Sequence, residues 1–261
     1  MSTATDTGQV ALTFDGSIAT VTLQRERKLN ALTPEMLEQL GKAVAQIRLS
    51  AARVVIVRGE GTRAFCVGAD INRFADLTPV QMLDWTERGH RVFDALASLA
   101  QPSIAVLHGP TFGGGLELGL ACDLRVGSST TRLGLPEVGL GTVPGWGGTE
   151  RLVELVGRGR AKEVILGRRT LDAATAHSWG VLAETAEPDQ LEEVVARLAD
   201  GIAAAAPVAV RLAKTIIDAA ADGSPSRVLE HLAGAVTSST EDLQAGIAGF
   251  RSSSAPQFTG R

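Results

Sequence analysis

Ile104-Ala105-Val106-Leu107 leads through His108-Gly109-Pro110-Thr111-Phe112-Gly113-Gly114-Gly115 into Leu116-Glu117-Leu118-Gly119-Leu120, and this run decides the fold. A short apolar segment with β-branched members suits a strand buried on both faces, the glycines permit a turn, and the apolar stretch after them suits a packed helix. The pattern has a counterpart upstream. Val54 to Val57 is another β-branched run, followed by the small-residue loop Ala64-Phe65-Cys66-Val67-Gly68-Ala69-Asp70-Ile71 and by a helix beginning near Pro79. Downstream, a strand is expected near Cys122 to Val126. Strands alternating with helices in this way imply an α/β fold with right-handed crossovers and stacked strand-helix units.

Moving outward, Val10 to Phe14 and Ser17 to Leu23 alternate apolar and polar around Asp15-Gly16, a dipeptide suited to a tight hairpin turn. Thr33-Pro34 supplies an N-cap and a first-turn proline for an amphipathic helix carrying Met36, Leu37, Leu40, Val44 and Ile47. After Gly145 the reading is mostly helical, with segments near 147–156, 160–166, 172–178 and 189–205 and a weak strand at Val181 to Glu184. Ala206-Pro207 breaks that pattern. From there to about Arg251 three helices are expected, separated at Asp222-Gly223 and around Ser238-Ser239. The expected organisation is a flexible start over residues 1–8, a core over 9–205 and a C-terminal helical region over 206–261.

The bulk chemistry excludes several functions. A formal charge of −4 and a pI near 5.6 give no general attraction to nucleic acid or to an anionic membrane. Cys66 and Cys122 form no CxxC pair, so neither a disulfide framework nor a structural zinc site is expected, and a reducing cytoplasm fits best. The first eight residues lack the basic start and apolar stretch of a signal peptide. The absence of HExxH spacing leaves little support for a catalytic metal. Gly113-Gly114-Gly115 does not continue into a dinucleotide fingerprint, because Leu118 stands where its last glycine belongs. There is no GxSxG elbow and no Walker sequence. Trp85, Trp146 and Trp179, without a basic background, read as core or pocket lining.

The loops at 64–71 and 108–117 both pass small residues into a helix, where free N–H groups favour negative charge. Two such loops can aim two donors at one carbonyl oxygen; equally, the glycines can serve only turns and close packing. Glu117 lies in an otherwise apolar run, where a carboxylate is costly and its pKa rises unless a partner holds it down. A structural network is the alternative for it. Glu137, in Leu135-Pro136-Glu137-Val138-Gly139, is a second acid in similar surroundings, and a pair in one cleft can divide the base and acid roles.

These segments resemble the crotonase superfamily and, within it, the enoyl-CoA hydratase/isomerase family, over about Val10 to Phe258. The resemblance rests on Leu29-Asn30-Ala31-Leu32, Phe65-Cys66-Val67-Gly68-Ala69-Asp70, Gly113 to Glu117 with Cys122-Asp123, Leu135-Pro136-Glu137, and Pro144-Gly145-Trp146-Gly147-Gly148-Thr149-Glu150-Arg151-Leu152. It implies a crotonase-like spiral of repeated ββα units with a C-terminal helical trimerisation region, assembled as a homotrimer or dimer of trimers. It further implies an acyl-CoA thioester substrate and no separate cofactor, coenzyme A being part of the substrate. The backbone N–H groups of Ala69 and Gly114 are the implied oxyanion hole. Glu117 matches the acid that activates water, Glu137 the acid that protonates the α-carbon, and Gly145 the glycine that helps hold the water. Ala31, Gly68, Asp70, Ile71 and Trp146 are the implied substrate contacts, with Asp70 orienting its loop.

Three positions depart from the family pattern. Trp146 stands where a small residue is common, Asn72 replaces a lysine, and Ser252-Ser253-Ser254-Ala255 replaces a basic cluster. The phosphates of CoA are then expected to draw on Arg25, Arg27, Lys28, Arg73 or Arg251. The function expected is an enoyl-CoA hydratase. An isomerase, or a non-catalytic acyl-CoA-binding scaffold, is the alternative.

Overall fold

Asp15-Gly16 joins β1 (Gln9–Asp15) to β2 (Ile18–Gln24) as an antiparallel hairpin, with Gly16 at φ +53°. That turn starts a computed structural model describing residues 7–73 and 77–261. Residues 1–6, most of the segment expected to be flexible, lie outside the described residues. Thr7 and Gly8 are held in place: the Thr7 carbonyl accepts from Thr33 Oγ1 at 2.6 Å, and a Cβ on Gly8 would meet Met36 and Arg25.

Thr33 also caps α1 (Pro34–Arg48), accepting from the Met36 N–H at 3.2 Å. The chain continues through β3 (Val54–Gly59), α2 (Pro79–Ala97), β4 (Ser103–Leu107), β5 (Pro110–Phe112), α3 (Gly114–Leu120), β6 (Leu124–Ser128) and β7 (Arg132–Gly134). Then follow α4 (Gly148–Ile165), β8 (Leu171–Asp172), α5 (Ala173–Ser178), β9 (Glu184–Ala186) and α6 (Leu191–Ala203). Helices α7 (Pro207–Ala221), α8 (Ser226–Ser238) and α9 (Glu241–Ser252) complete it. The repeating unit is two strands and a helix, seen in β4-β5-α3 and in β6-β7-α4.

The main sheet has the order β1-β2-β3-β4-β6-β9, parallel from β2 onward, and a smaller sheet has the order β5-β7-β8. Val54, Ile104, Val106 and Val126 pack under α6, while Val55, Val57, Ala105 and Leu107 join the larger core on the opposite face. Burial on both faces is why these strands read as continuous apolar runs. Strand boundaries differ from the sequence reading: the strand expected near Cys122 to Val126 lies at Leu124–Ser128. The strand expected at Val181 lies at Glu184–Ala186, because the N–H groups of Val181 and Leu182 return to the Ala176 carbonyl and close α5. The two helices expected over 147–166 are present as the two halves of α4, which meet at a kink at Gly157 (φ +76°).

A largely buried ion pair ties α7 to the end of the sheet. Lys214 Nζ of α7 meets Asp123 Oδ2 at 2.8 Å, and the same oxygen accepts from the Ser103 N–H and hydroxyl at 2.7 and 2.8 Å. Removing one partner leaves the other uncompensated, and the two cases are unequal: without Asp123 the buried Lys214 ammonium loses its anion, whereas without Lys214 the half-buried Asp123 keeps both Ser103 donors. Asp123→Ala is therefore expected to lower unfolding free energy by about 3 kcal/mol and Lys214→Met by far less; urea denaturation of the two variants checks the asymmetry.

Candidate active site

Two parallel bridges, Leu32 to Ala69 and Cys66 to Thr111, lay the loop after β3 against both the segment before α1 and β5. The Phe112 N–H donates to the Cys66 carbonyl at 3.0 Å. Glycine makes the next contact possible. A Cβ on Gly115 would lie 2.1 Å from the Cys66 oxygen, and one on Gly68 (φ +100°) would lie 3.0 Å from the Phe112 oxygen and 3.2 Å from the Gly114 nitrogen. Backbone thus meets backbone where the two loops run together: the glycines permit the close packing, and Gly114 stands at a helix start.

The bridge also sets which way Ala69 points. Leu32 donates to the Gly68 carbonyl at 2.7 Å and accepts from the Asp70 N–H at 2.8 Å, so the Ala69 N–H faces the other side of the strand. Ala69 and Gly114 border one cavity, together with Gly68, Ile71, Gly145 and Trp146. Gly114, the first residue of α3, has an N–H that no earlier turn of its helix can receive.

Glu117 sits one turn into α3 and is 2% exposed. Its Oε1 accepts from the N–H groups of Trp146 at 2.8 Å and Gly148 at 2.9 Å. Burial pushes its pKa up, while these donors, the Gly145 N–H and nearby His90 pull it back. The donors come from the turn before α4, where Gly148 is obligatory because a Cβ would lie 2.5 Å from Glu117 Cγ. Arg151 braces that turn from behind, donating to the Trp146 carbonyl at 3.0 Å while it pairs with Asp94 of α2 at 2.5 Å.

Glu137 reaches the same cavity from another direction. β7 pairs with β5, the Gly113 N–H donates to the Gly134 carbonyl at 3.0 Å, and the chain leaving β7 turns Glu137 over Gly113. Its Oε2 is buried without a hydrogen-bond partner. Burial, with the Glu117 charge adding to it, pushes this carboxyl up to about 7. The two acids face one space with unequal support: Glu117 has donors from the chain around Trp146 and Gly148, whereas Glu137 has its own backbone N–H and one buried oxygen without a partner.

The basic residues fall differently from expectation. Arg25, expected at a phosphate, is buried; its Nη1 lies 2.8 Å from Asp70 Oδ2 and donates to the Ala31 carbonyl at 3.0 Å. Burial pushes the Asp70 carboxyl up, but Arg25 and the Asn72 N–H together hold it below its ordinary value. Arg73 pairs with Glu35, whereas Arg27, Lys28 and Arg251 are exposed. Ala31 is fixed by its neighbour, the buried Asn30, which accepts from the Arg25 N–H and donates to the carbonyls of Glu60 and Ala64.

Sequence reading missed Arg151, Gly89 and Arg125. Buried Arg125 donates to the carbonyls of Val181, Cys122, Gly119 and Asp123, holding the far end of α3. A glycine inside the helical pattern of α2 was the available sign for Gly89; the two arginines gave none. Among the described residues no group of three or more His, Cys, Asp and Glu is placed to hold a metal, and no helix is long and apolar enough to cross a membrane.

Residues 13–261 match the sequence profile of the family described as enoyl-CoA hydratase/isomerase. The chain belongs to the enoyl-CoA hydratase/isomerase family. It is 38% identical over 210 residues to the short-chain-enoyl-CoA hydratase of Clostridium acetobutylicum, covering 80% of each chain. It is 34% identical to the mitochondrial methylglutaconyl-CoA hydratase of Mus musculus, over 93% of this chain and 80% of that one. The crystal structure of an enoyl-CoA hydratase from Bacillus anthracis superposes with a TM-score of 0.93 at 34% identity, covering 97% of this chain and 99% of that one. The fold is therefore the family's α/β fold of repeated β-β-α units with C-terminal helices, and the family implies an acyl-CoA substrate.

The raised pKa of Glu137 has a thermodynamic consequence. Its folded value of about 7 exceeds the ordinary 4.5, so its proton favours folding below pH 4.5, and that contribution is lost as pH rises through about 7. Wild-type stability is expected to fall between pH 4.5 and 8, and Glu137→Gln to flatten that fall; denaturant melts across the range give the comparison.

Proposed function

We propose that this enzyme is an enoyl-CoA hydratase, adding water reversibly and syn across a 2-enoyl-CoA to give a 3-hydroxyacyl-CoA. The observation that carries the reading is the unequal support of two carboxyls in one cavity: Glu117 held by backbone N–H groups, Glu137 half-buried with one buried oxygen that has no partner. Glu117 is the base. It takes a proton from water as the water oxygen bonds to C3, with the Gly145 N–H helping to hold that water. The C2–C3 π electrons move toward the thioester, and the N–H groups of Ala69 and Gly114 stabilise the developing enolate oxygen. Glu137 then gives its proton to C2, and proton exchange with solvent resets both acids.

Ala31, Gly68, Asp70, Ile71 and Trp146 are assigned to substrate binding, Asp70 through its hold on the loop. Arg27 and Lys28 are the exposed cations beside Ala31 available to a CoA phosphate. The helices α7–α9 leave Ile217, Leu232 and Phe250 at 67%, 60% and 90% exposure, an apolar surface suited to association with copies of the same chain as a trimer or dimer of trimers.

Mass spectrometry of 2-enoyl-CoA reactions run in 18O-water reads the product directly and tests the proposal. Glu117→Gln and Glu137→Gln are each expected to lower kcat/KM by roughly 10²- to 10⁴-fold, and wild-type kcat/KM to fall above about pH 7 as Glu137 loses its proton. Product carrying 18O at C3 supports hydration. A shifted double bond with no incorporated oxygen assigns the site to isomerisation instead, and acyl-CoA binding with no product at all assigns it to a non-catalytic scaffold.

A further inference from the structure

We infer that the indole of Trp146, seated on Gly89, is the inner wall of the acyl site and restricts the enzyme to short acyl chains. The inference rests on the acyl-CoA reading above and deepens it. A Cβ on Gly114 would lie 2.4 and 2.6 Å from Cζ3 and Cε3 of the indole, so the benzo edge covers the Cα of the residue whose N–H faces the cavity. On the opposite side, a Cβ on Gly89 would lie 2.0 and 2.1 Å from Nε1 and Cδ1, so the pyrrole edge rests on the backbone of α2. Trp85 and Phe93 meet the ring edge-on, with centroids 5.2 and 5.3 Å away. Trp146 is 3% exposed and its ring is held from four directions, yet the residue borders the cavity.

Gly89 has no other evident purpose. Glycine weakens a helix interior, and the nearest atoms that a side chain there would meet all belong to this indole. The pair therefore works as a unit: Gly89 admits the ring, and the ring closes the space between α2 and α3. An acyl chain starting at the thioester carbonyl runs into that wall within a few carbons. Its other course is outward, over Ile71, Leu140 and Val143, which line the same cavity but are 51%, 61% and 68% exposed. Methylenes lying there stay partly in water and gain little.

Calorimetry with saturated butyryl-, hexanoyl- and decanoyl-CoA tests the wall without relying on turnover. A methylene that becomes buried adds about fourfold to affinity. For the wild type, affinity is expected to stop rising after hexanoyl. Trp146→Ala keeps the backbone N–H that Glu117 uses, and is expected to raise the decanoyl-to-butyryl affinity ratio at least tenfold. Gly89→Ala is expected to weaken all three ligands by forcing the ring inward, and the double variant Gly89→Ala/Trp146→Ala to recover them. Wild-type affinity that climbs steadily to decanoyl, with the climb lost in Leu140→Ser, overturns the proposal by placing the chain over the outer rim. So does a Trp146→Ala protein that melts cooperatively but keeps the wild-type ratio, which makes the indole a packing residue only. If these ligands bind as expected while no 2-enoyl-CoA is hydrated, the hydratase reading fails and the wall stands; if no acyl-CoA binds, both fail.

Discussion

The Cys66 carbonyl occupies the space that any side chain at position 115 would need, and the arrangement of the site follows from that contact. Two loops from successive repeats approach until only backbone separates them, which places Ala69 and Gly114 at one cavity. Helix α3 begins at that junction, so Glu117 enters the same space one turn later. The β5–β7 pairing anchors the third arm of the site to the second, since the Gly113 N–H and the Gly134 carbonyl are hydrogen-bonded and Glu137 follows directly. A Cβ inserted at the junction would move the amides and both acids together.

The electrostatic design separates two groups of the same chemical type. A carboxylate buried in apolar surroundings is unstable, and Glu117 is relieved by amides presented from the turn at 145–148. That turn needs support of its own. Arg151 supplies it by binding the Trp146 carbonyl, and Arg125 fixes the other end of α3 through four backbone carbonyls. Glu137 has no such relief for its buried oxygen, and the charge nearby on Glu117 raises the cost of ionising it further. The two carboxyls are distinguished by their backbone neighbours.

What was legible in the sequence was mainly local. Asp15-Gly16, Thr33-Pro34 and the β-branched runs at Val54 and Ile104 act through adjacent residues or through burial on both faces, so pattern alone placed them. Glu117 was legible because an acid inside Leu116 to Leu120 has no ordinary explanation. The β9 boundary was not, because Val181 and Leu182 are as apolar as a strand, and the turn after α5 takes their N–H groups. Arg25 was read as a candidate for the CoA phosphates because its partner, Asp70, lies in a different loop. Gly89 and Trp146 are likewise far apart in the chain and explain each other only when their packing is seen.

The position of Arg25 changes how recognition of the substrate must be understood in the proposed reading. Its guanidinium joins the Ala31 carbonyl to Asp70, and so it holds the segment before α1 against the loop that carries Ala69. A charge used in this way contributes rigidity at the amide donors. Exposed Arg27 and Lys28 remain beside Ala31, but exposed ion pairs contribute little and are screened by salt. Asn72 and Ser252 to Ser254 add no charge where the family commonly has it. On the proposed reading, affinity for a CoA thioester draws chiefly on backbone hydrogen bonds and on the apolar walls of the acyl site, which gives the shape of those walls more influence over substrate choice than the phosphates have.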